Sequence, residues 1–181
     1  MLTPVLLTMA TVASAPAATQ LHGTPVAALR DDCAASAPGV RINVSGLKDR
    51  SGRLNLELYP ANANDFLKGA PELLKEGKVF RRVVAAVPPK GSANGPASGI
   101  VSLCVPTPGP GRYAVVVIHK RDGAAKFNIS NDGVGLPGSG RIGRRRPGYE
   151  QAVVLVSDRV TTVPLQMQYL HGLAGFKPEA R

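Results

Sequence analysis

His119 and Asp122 are the side chains best equipped for chemistry in this sequence, and they close the run GRYAVVVIHKRDG from Gly111 to Gly123. An imidazole whose ordinary pKa lies near neutrality serves as a general base or a metal ligand, so a hydrolase or metal-dependent enzyme would be centred on this pair. The other histidines, His22 and His171, are remote in sequence, and a three-histidine site needs distant segments to converge. The plainer reading has His119 capping a strand or bonding a loop carbonyl, with Asp122-Gly123 a turn in which the Asp bonds its own backbone. Calcium is poorly served. Asp122, Asn128, Asn131 and Asp132 bring only two carboxylates among competing Lys and Arg, whereas Ca²⁺ takes roughly six to eight oxygens. There is no G-x-S-x-G elbow, GVGLPG from Gly133 to Gly138 lacks the strand-to-helix setting of a phosphate loop, and Gly138-Ser139-Gly140 reads as a flexible loop. The expectation is a non-catalytic protein with no metal and no cofactor. An enzyme around His119 and Asp122 is the alternative, and a structural or assembly partner the second.

Charge is the other chemical asset: 22 Lys and Arg face 12 Asp and Glu, a formal +10. The densest cluster is Arg141, Arg144, Arg145 and Arg146, in the Gly-rich connection between His119 and Gln151. A connection of about thirty residues without secondary structure is usually functional or mobile. Guanidinium groups clamp phosphates and carboxylates, so the loop 120–149 is expected to meet anionic lipid, polysaccharide or another envelope protein. Lys48, Arg50 and Arg53 join it if they project from the same end. A solvated basic loop is the plainer reading. Nucleic acid suits the charge, but expected export and the lack of paired aromatics for base stacking count against it.

Export is expected from the first residues, MLTPVLLTMATVASAPAATQ, where an uncharged apolar run from Val5 to Ala13 gives way to small residues. Cleavage is expected after Ala17 or Ala18, and the run is too short for a membrane span. The destination is the periplasm or the medium. Cys33 and Cys104 belong to no C-x-x-C pair. In an oxidising compartment they are expected to be bridged, two separate buried thiols being the alternative. The organisation read from the chain is a signal peptide over 1–18, an Ala/Thr/Pro-rich leader over 19–38, one β-sandwich domain over 39–171 and a tail over 172–181.

The elements that must carry these side chains are strands. Val40, Ile42 and Val44 alternate with Arg41, Asn43 and Ser45, and after a turn at Lys48–Gly52 the residues Leu54, Leu56 and Leu58 alternate with Arg53, Asn55, Glu57 and Tyr59. Period two marks half-buried strands, and the pair reads as an antiparallel hairpin. Residues 61–77 leave that period. Pro71, Leu73, Leu74 and Gly77 describe one short helical insertion. Further strands are expected over Val79–Val87, Ile100–Val105 and Tyr113–Ile118, the last apolar on both faces and therefore central. Ala152–Val156 and Thr161–Tyr169 read as a second hairpin, with Pro164 placing its final strand at an edge or a bulge. About seven strands without βαβ alternation predict an all-β, two-sheet antiparallel sandwich of immunoglobulin-like or transthyretin-like (prealbumin-like) type, with a small barrel as the competing architecture.

The runs SGLKDRSGRLNLELY (Ser45 to Tyr59), DFLK (Asp65 to Lys68), CVPTPGPGRYAVVVIHKRDG (Cys104 to Gly123) and GYEQAVVLV (Gly148 to Val156) together resemble the bacterial envelope family known as Domain of Unknown Function 2141, over roughly residues 40 to 170 and in the same order. The resemblance implies an exported β-sandwich with no established activity. In that family the strand corresponding to Tyr113–His119 is typically followed by an acidic, Asn/Gly-rich loop. His119, Asp122 and Gly123 fit that pattern, while Lys120, Ala124 and Ala125 stand where acidic or amide side chains would be expected.

Overall fold

A computed structural model describes residues 33–89, 99–138 and 140–179. The expected signal peptide and most of the leader lie outside the described residues. Among those described, the alternating runs become β1 (Gly39–Ser45), β2 (Arg53–Pro60), β3 (Arg81–Ala86), β4 (Val101–Pro106) and β5 (Gly111–Lys120). They are followed by β6 (Gly133–Gly135), β7 (Val153–Val156), β8 (Val160–Gln166), β9 (Gln168–Leu170) and β10 (Phe176–Pro178). One short helix, α1 (Ala70–Lys75), interrupts them where Pro71 was read as its first turn. The count is ten rather than about seven.

Three strands form one sheet in the order β4-β1-β8. The other seven form a larger sheet in the order β10-β9-β6-β5-β2-β3, with β7 also paired to β5. Val40, Ile42 and Val44 of β1 meet Leu54, Leu56 and Leu58 of β2 in a common core with Val115 and Val117 of β5. Each such side chain taken fully out of water contributes about 1.5–3 kcal/mol, so the inward faces, rather than local propensity, decide the layering.

Both expected hairpins are absent. β1 pairs antiparallel with β4 and β2 pairs antiparallel with β3 and β5, so β1 and β2 lie in opposite sheets. β7 joins β5 in the larger sheet while β8 joins β1 in the smaller one. The reason is geometric: two strands with one apolar face each bury them equally well side by side or across the core, and alternation alone does not choose. The β1–β8 pair is moreover parallel, with Ile42 opposite Val163, which corrects the all-antiparallel expectation. Pro164 does sit on an edge strand, since among the described residues β8 has only β1 as a sheet neighbour. The run read as a single strand over Thr161–Tyr169 divides at Met167, where the chain passes from the smaller sheet to the larger.

β5 is central, as its double-sided apolar character requires. β2 runs along one flank, and β7 and β6 share the other. Its outer face, Ala114 and Val116, packs with Tyr59, Phe66 and Leu73 in a second cluster formed by α1 and the neighbouring loops. The outward residues Asn55, Glu57 and Tyr59 of β2 are therefore buried and not solvated, while Arg53 is half-buried. The long connection after His119 contains β6, so it is not structureless. Its GVG glycines have a packing reason: a Cβ at Gly133 would stand 2.4 Å from the Tyr169 ring, and one at Gly135 would stand 2.2 Å from Leu165. The last strand, β10, falls within the segment read as a tail and pairs with β9. Cys33 and Cys104 form the expected disulfide, with Cα atoms 5.9 Å apart, tying the chain ahead of β1 to β4.

Candidate functional site

Because side chains alternate along a strand, the outer face of the larger sheet collects Asn55, Glu57 and Tyr59 from β2, Arg82 from β3, and Val116, Ile118 and Lys120 from β5. Together they floor a cleft of about 670 Å³. Phe127 and Ile129, from the connection after β5, stand over it together with Ile142 and Phe176. Arg144, Arg145 and Arg146 also line it. The volume falls within the roughly 300–1,000 Å³ usual for small-molecule sites.

Most charges in this floor are already matched. Glu57 is buried, accepting a hydrogen bond from the Tyr59 hydroxyl at 2.5 Å and one from Arg82 Nε at 2.8 Å. Burial, reinforced by the adjacent carboxylate, pushes the Tyr59 phenol far above its ordinary range, so it remains a donor. Lys120 is buried, donates to Asp132 and to the Lys126 carbonyl, and lies 5.8 Å from the Phe127 ring centroid. Arg146 Nη2 donates to the carbonyls of Phe66 (3.3 Å) and Leu67 (3.2 Å). Leu67 has a left-handed φ of 62°, a conformation that costs a non-glycine energy and persists only where its surroundings hold it. Arg144 and Arg145 are exposed and have no carboxylate partner among the described residues. Asn55 Oδ1 is buried without a hydrogen-bond partner among the described residues.

The other expected site residues lie elsewhere. Arg141 donates to the Ala174 carbonyl at 2.8 Å and does not line the cleft. Arg50 and Arg53 donate to the carbonyls of Gly99 and Ala124. Asp122 accepts from the Ala124 N–H at 2.8 Å, closing a turn on its own backbone. Asp132 is held by Lys120, Asn131 by Arg121, and the Asn128 side chain by the Ser130 N–H. The carboxylate and amide oxygens that a calcium ion would take are thus turned to Lys120, Arg121 and two backbone N–H groups. Among the described residues no group of His, Cys, Asp and Glu is arranged to hold a metal.

His119 faces the core rather than the cleft. Its Nε2 donates to the Ser51 carbonyl at 2.8 Å, which leaves Nδ1 to accept from the Tyr169 hydroxyl at 2.7 Å. Tyr169 Oη in turn accepts from the Lys48 N–H at 3.0 Å. Burial is the largest influence on the ring and holds its pKa below the ordinary value of 6.5, against the opposing pull of Ser51 and Asp49. Asp49 is itself committed to Arg121, whose Nε lies at 2.6 Å. His119 and Asp122 are therefore turned to different partners.

A neutral native histidine makes stability depend on pH with a definite sign. Between its depressed folded pKa and about 6.5 the unfolded chain holds a proton that the native protein lacks, so stability is full above that window and falls as pH drops through it, by at most about 1.4 kcal/mol per pH unit. Denaturation of the parent protein and of His119→Gln between pH 7.5 and 5 checks this. The parent should lose stability as acid is added, and the variant should lose less; parallel curves refute the assignment.

A two-sheet β protein with an amphiphilic, Arg-lined cleft on the outer face of its larger sheet is thus the class that fold and site define. The chain belongs to the family described as "uncharacterized protein conserved in bacteria (DUF2141)", whose model matches residues 42–164. No curated protein and no solved structure matches it.

The basic loop was visible in the sequence, but its counterpart across the cleft was not. Asn55, Glu57 and Tyr59 alternate with inward leucines and read from the sequence as an outward strand face, and Arg82, Phe127 and Ile129 carry no signal that joins them to it. Two large apolar residues standing out of a Lys/Asn/Ser stretch were the available signal.

Proposed function

We propose that this is an exported protein, periplasmic or secreted, that binds anionic envelope components without catalysis through the segment 120–149. Arg144 and Arg145 carry this reading. They line the cleft without carboxylate partners among the described residues, whereas Arg82, Lys120 and Arg121 are neutralised by Glu57, Asp132 and Asp49. Free guanidinium groups at an opening attract phosphate or carboxylate. The anion is that of a lipid, a polysaccharide or another envelope protein. Export is supported by the uncharged apolar run at the N-terminus and by the disulfide, which an oxidising compartment maintains. Among the described residues no helix is long and apolar enough to cross a membrane. The crossings from β1 to β2 and from β7 to β8 between two sheets around one core support the finer reading as an immunoglobulin-like or transthyretin-like sandwich.

Co-sedimentation of the folded protein with phosphatidylglycerol/phosphatidylcholine vesicles tests the function. Binding should weaken steeply with added salt. The double variant Arg144→Ala/Arg145→Ala should lose about thirtyfold in affinity, since each cation near an anionic surface contributes about 1 kcal/mol. Equal binding by parent and variant would overturn the assignment.

A further inference from the structure

Building on that reading, we propose that the cleft on the outer face of the larger sheet holds one single-chain lipid, with an anionic head group at Arg144 and Arg145, an acyl chain against the apolar floor, and a hydroxyl bonded to Asn55. The chemistry of the cleft is divided in the way such a molecule is divided. Val116 and Ile118 offer a hydrocarbon floor, and Phe127 and Ile129 form an apolar wall above it.

Those wall residues are not used by the protein's own cores. Phe127 is 45% exposed and Ile129 55%, and neither belongs to either hydrophobic cluster. Phe127 is nevertheless held in place: it stacks on Phe176 with ring centroids 6.5 Å apart and lies beside the Lys120 ammonium, so this part of the wall stands preformed. Leaving such residues in water is unfavourable, and an acyl chain laid between wall and floor removes that exposure.

The polar end is equally specific. Glu57 in the floor would repel an anion, but Arg82 and the Tyr59 hydroxyl already satisfy its carboxylate. The guanidinium groups of Arg144 and Arg145 are left to meet the head group.

Asn55 supplies the third contact. It lines the cleft with 9% of its surface exposed, and its buried Oδ1 has no partner among the described residues. A buried polar atom without a hydrogen bond is costly. A hydroxyl of the ligand laid against Asn55 in the cleft supplies the missing donor. A monoacyl glycerophosphate carries all three features in one molecule. A free fatty acid carries two, and glycerol phosphate lacks the chain.

Isothermal titration of the full folded protein with monomeric, sub-micellar myristoyl lysophosphatidic acid tests this, alongside myristate, glycerol 3-phosphate and myristoyl lysophosphatidylcholine. Lysophosphatidic acid should bind with one-to-one stoichiometry and myristate at least about fivefold more weakly. Glycerol 3-phosphate should not bind measurably. Lysophosphatidylcholine, whose choline offsets the phosphate, should lose at least about tenfold. Phe127→Asp and, independently, Ile129→Asp should each weaken lysophosphatidic acid by at least about tenfold while keeping the parent circular dichroism spectrum; both positions are exposed enough to accept a charge. Asn55→Ala should bring lysophosphatidic acid down to the level of myristate.

If the protein sediments with anionic vesicles through Arg144 and Arg145, yet monomeric lysophosphatidic acid fails to bind or binds both wall variants as tightly as the parent, the acyl site is wrong and the broader anion reading stands. Failure of vesicle binding together with failure of every soluble ligand removes both. Myristate binding as tightly as lysophosphatidic acid overturns the role given to Asn55.

Discussion

Asp132→Ala lowers the free energy of unfolding by about 3–5 kcal/mol, the cost of leaving a buried charge without its partner. Both members of the Lys120–Asp132 pair are almost wholly out of water. The carboxylate also accepts the N–H of Asn128 at 2.8 Å and that of Arg121 at 3.2 Å, so one side chain closes the loop from 121 to 132 onto the end of β5. Removing it strands the Lys120 ammonium and frees two backbone donors together. The pair need not be a net source of stability, because desolvating two ions offsets much of their attraction. The double variant Lys120→Met/Asp132→Leu should therefore recover a large part of what Asp132→Ala loses. Urea denaturation of the parent, both single variants and the double variant measures the coupling. A loss below about 1 kcal/mol in Asp132→Ala, or a double variant worse than either single one, would refute the account. Because Lys120 also lies beside Phe127, loosening this pair should weaken acyl binding as well.

Loss of the Cys33–Cys104 bridge should destabilise the protein by about 4 kcal/mol. The bonded residues are 71 positions apart. In the chain-entropy account, closing a loop of that length removes about this much conformational freedom from the unfolded ensemble. The native state gives little back on reduction, since both cysteines are buried and Cys104 is held within β4 between the disulfide and the pairing with β1. For a domain of this size the change corresponds to a fall of about 8–16 °C in Tm. Thermal unfolding of the oxidised protein and of Cys33→Ala/Cys104→Ala checks it without the ambiguity of added reductant. Equal midpoints would mean that the unfolded chain is already compact enough for the bridge to constrain nothing.

Much of the local structure was legible along the chain. Val40, Ile42 and Val44, and then Leu54, Leu56 and Leu58, announce both strands and their inward faces. Pro71 marks the start of α1, the apolar run at Tyr113–Ile118 marks a central strand, and Pro164 marks an edge. What could not be read was pairing. Both supposed hairpins join strands of opposite sheets, because the turns at 46–52 and 157–159 carry the chain across the core rather than back along it. The three-residue strands β6 and β10 were too short to show a period, and β6 reads as two glycines around Val134 until Tyr169 and Leu165 are seen filling the space above them.

The candidate site divides along the same line. Residue types alone determined the basic cluster at Arg144–Arg146, the cysteine pair and the modest chemical promise of His119, since charge and alternation are properties of neighbouring residues. Only the tertiary structure decided that His119 is locked between Ser51 and Tyr169, that Lys120 is matched by Asp132, and that Asn55, Phe127 and Arg144 share one cleft. Residues 55, 127 and 144 meet because the outer faces of β2 and β5 are brought beneath a returning loop, and contacts made through space between distant segments leave no period in the chain for a reader to follow.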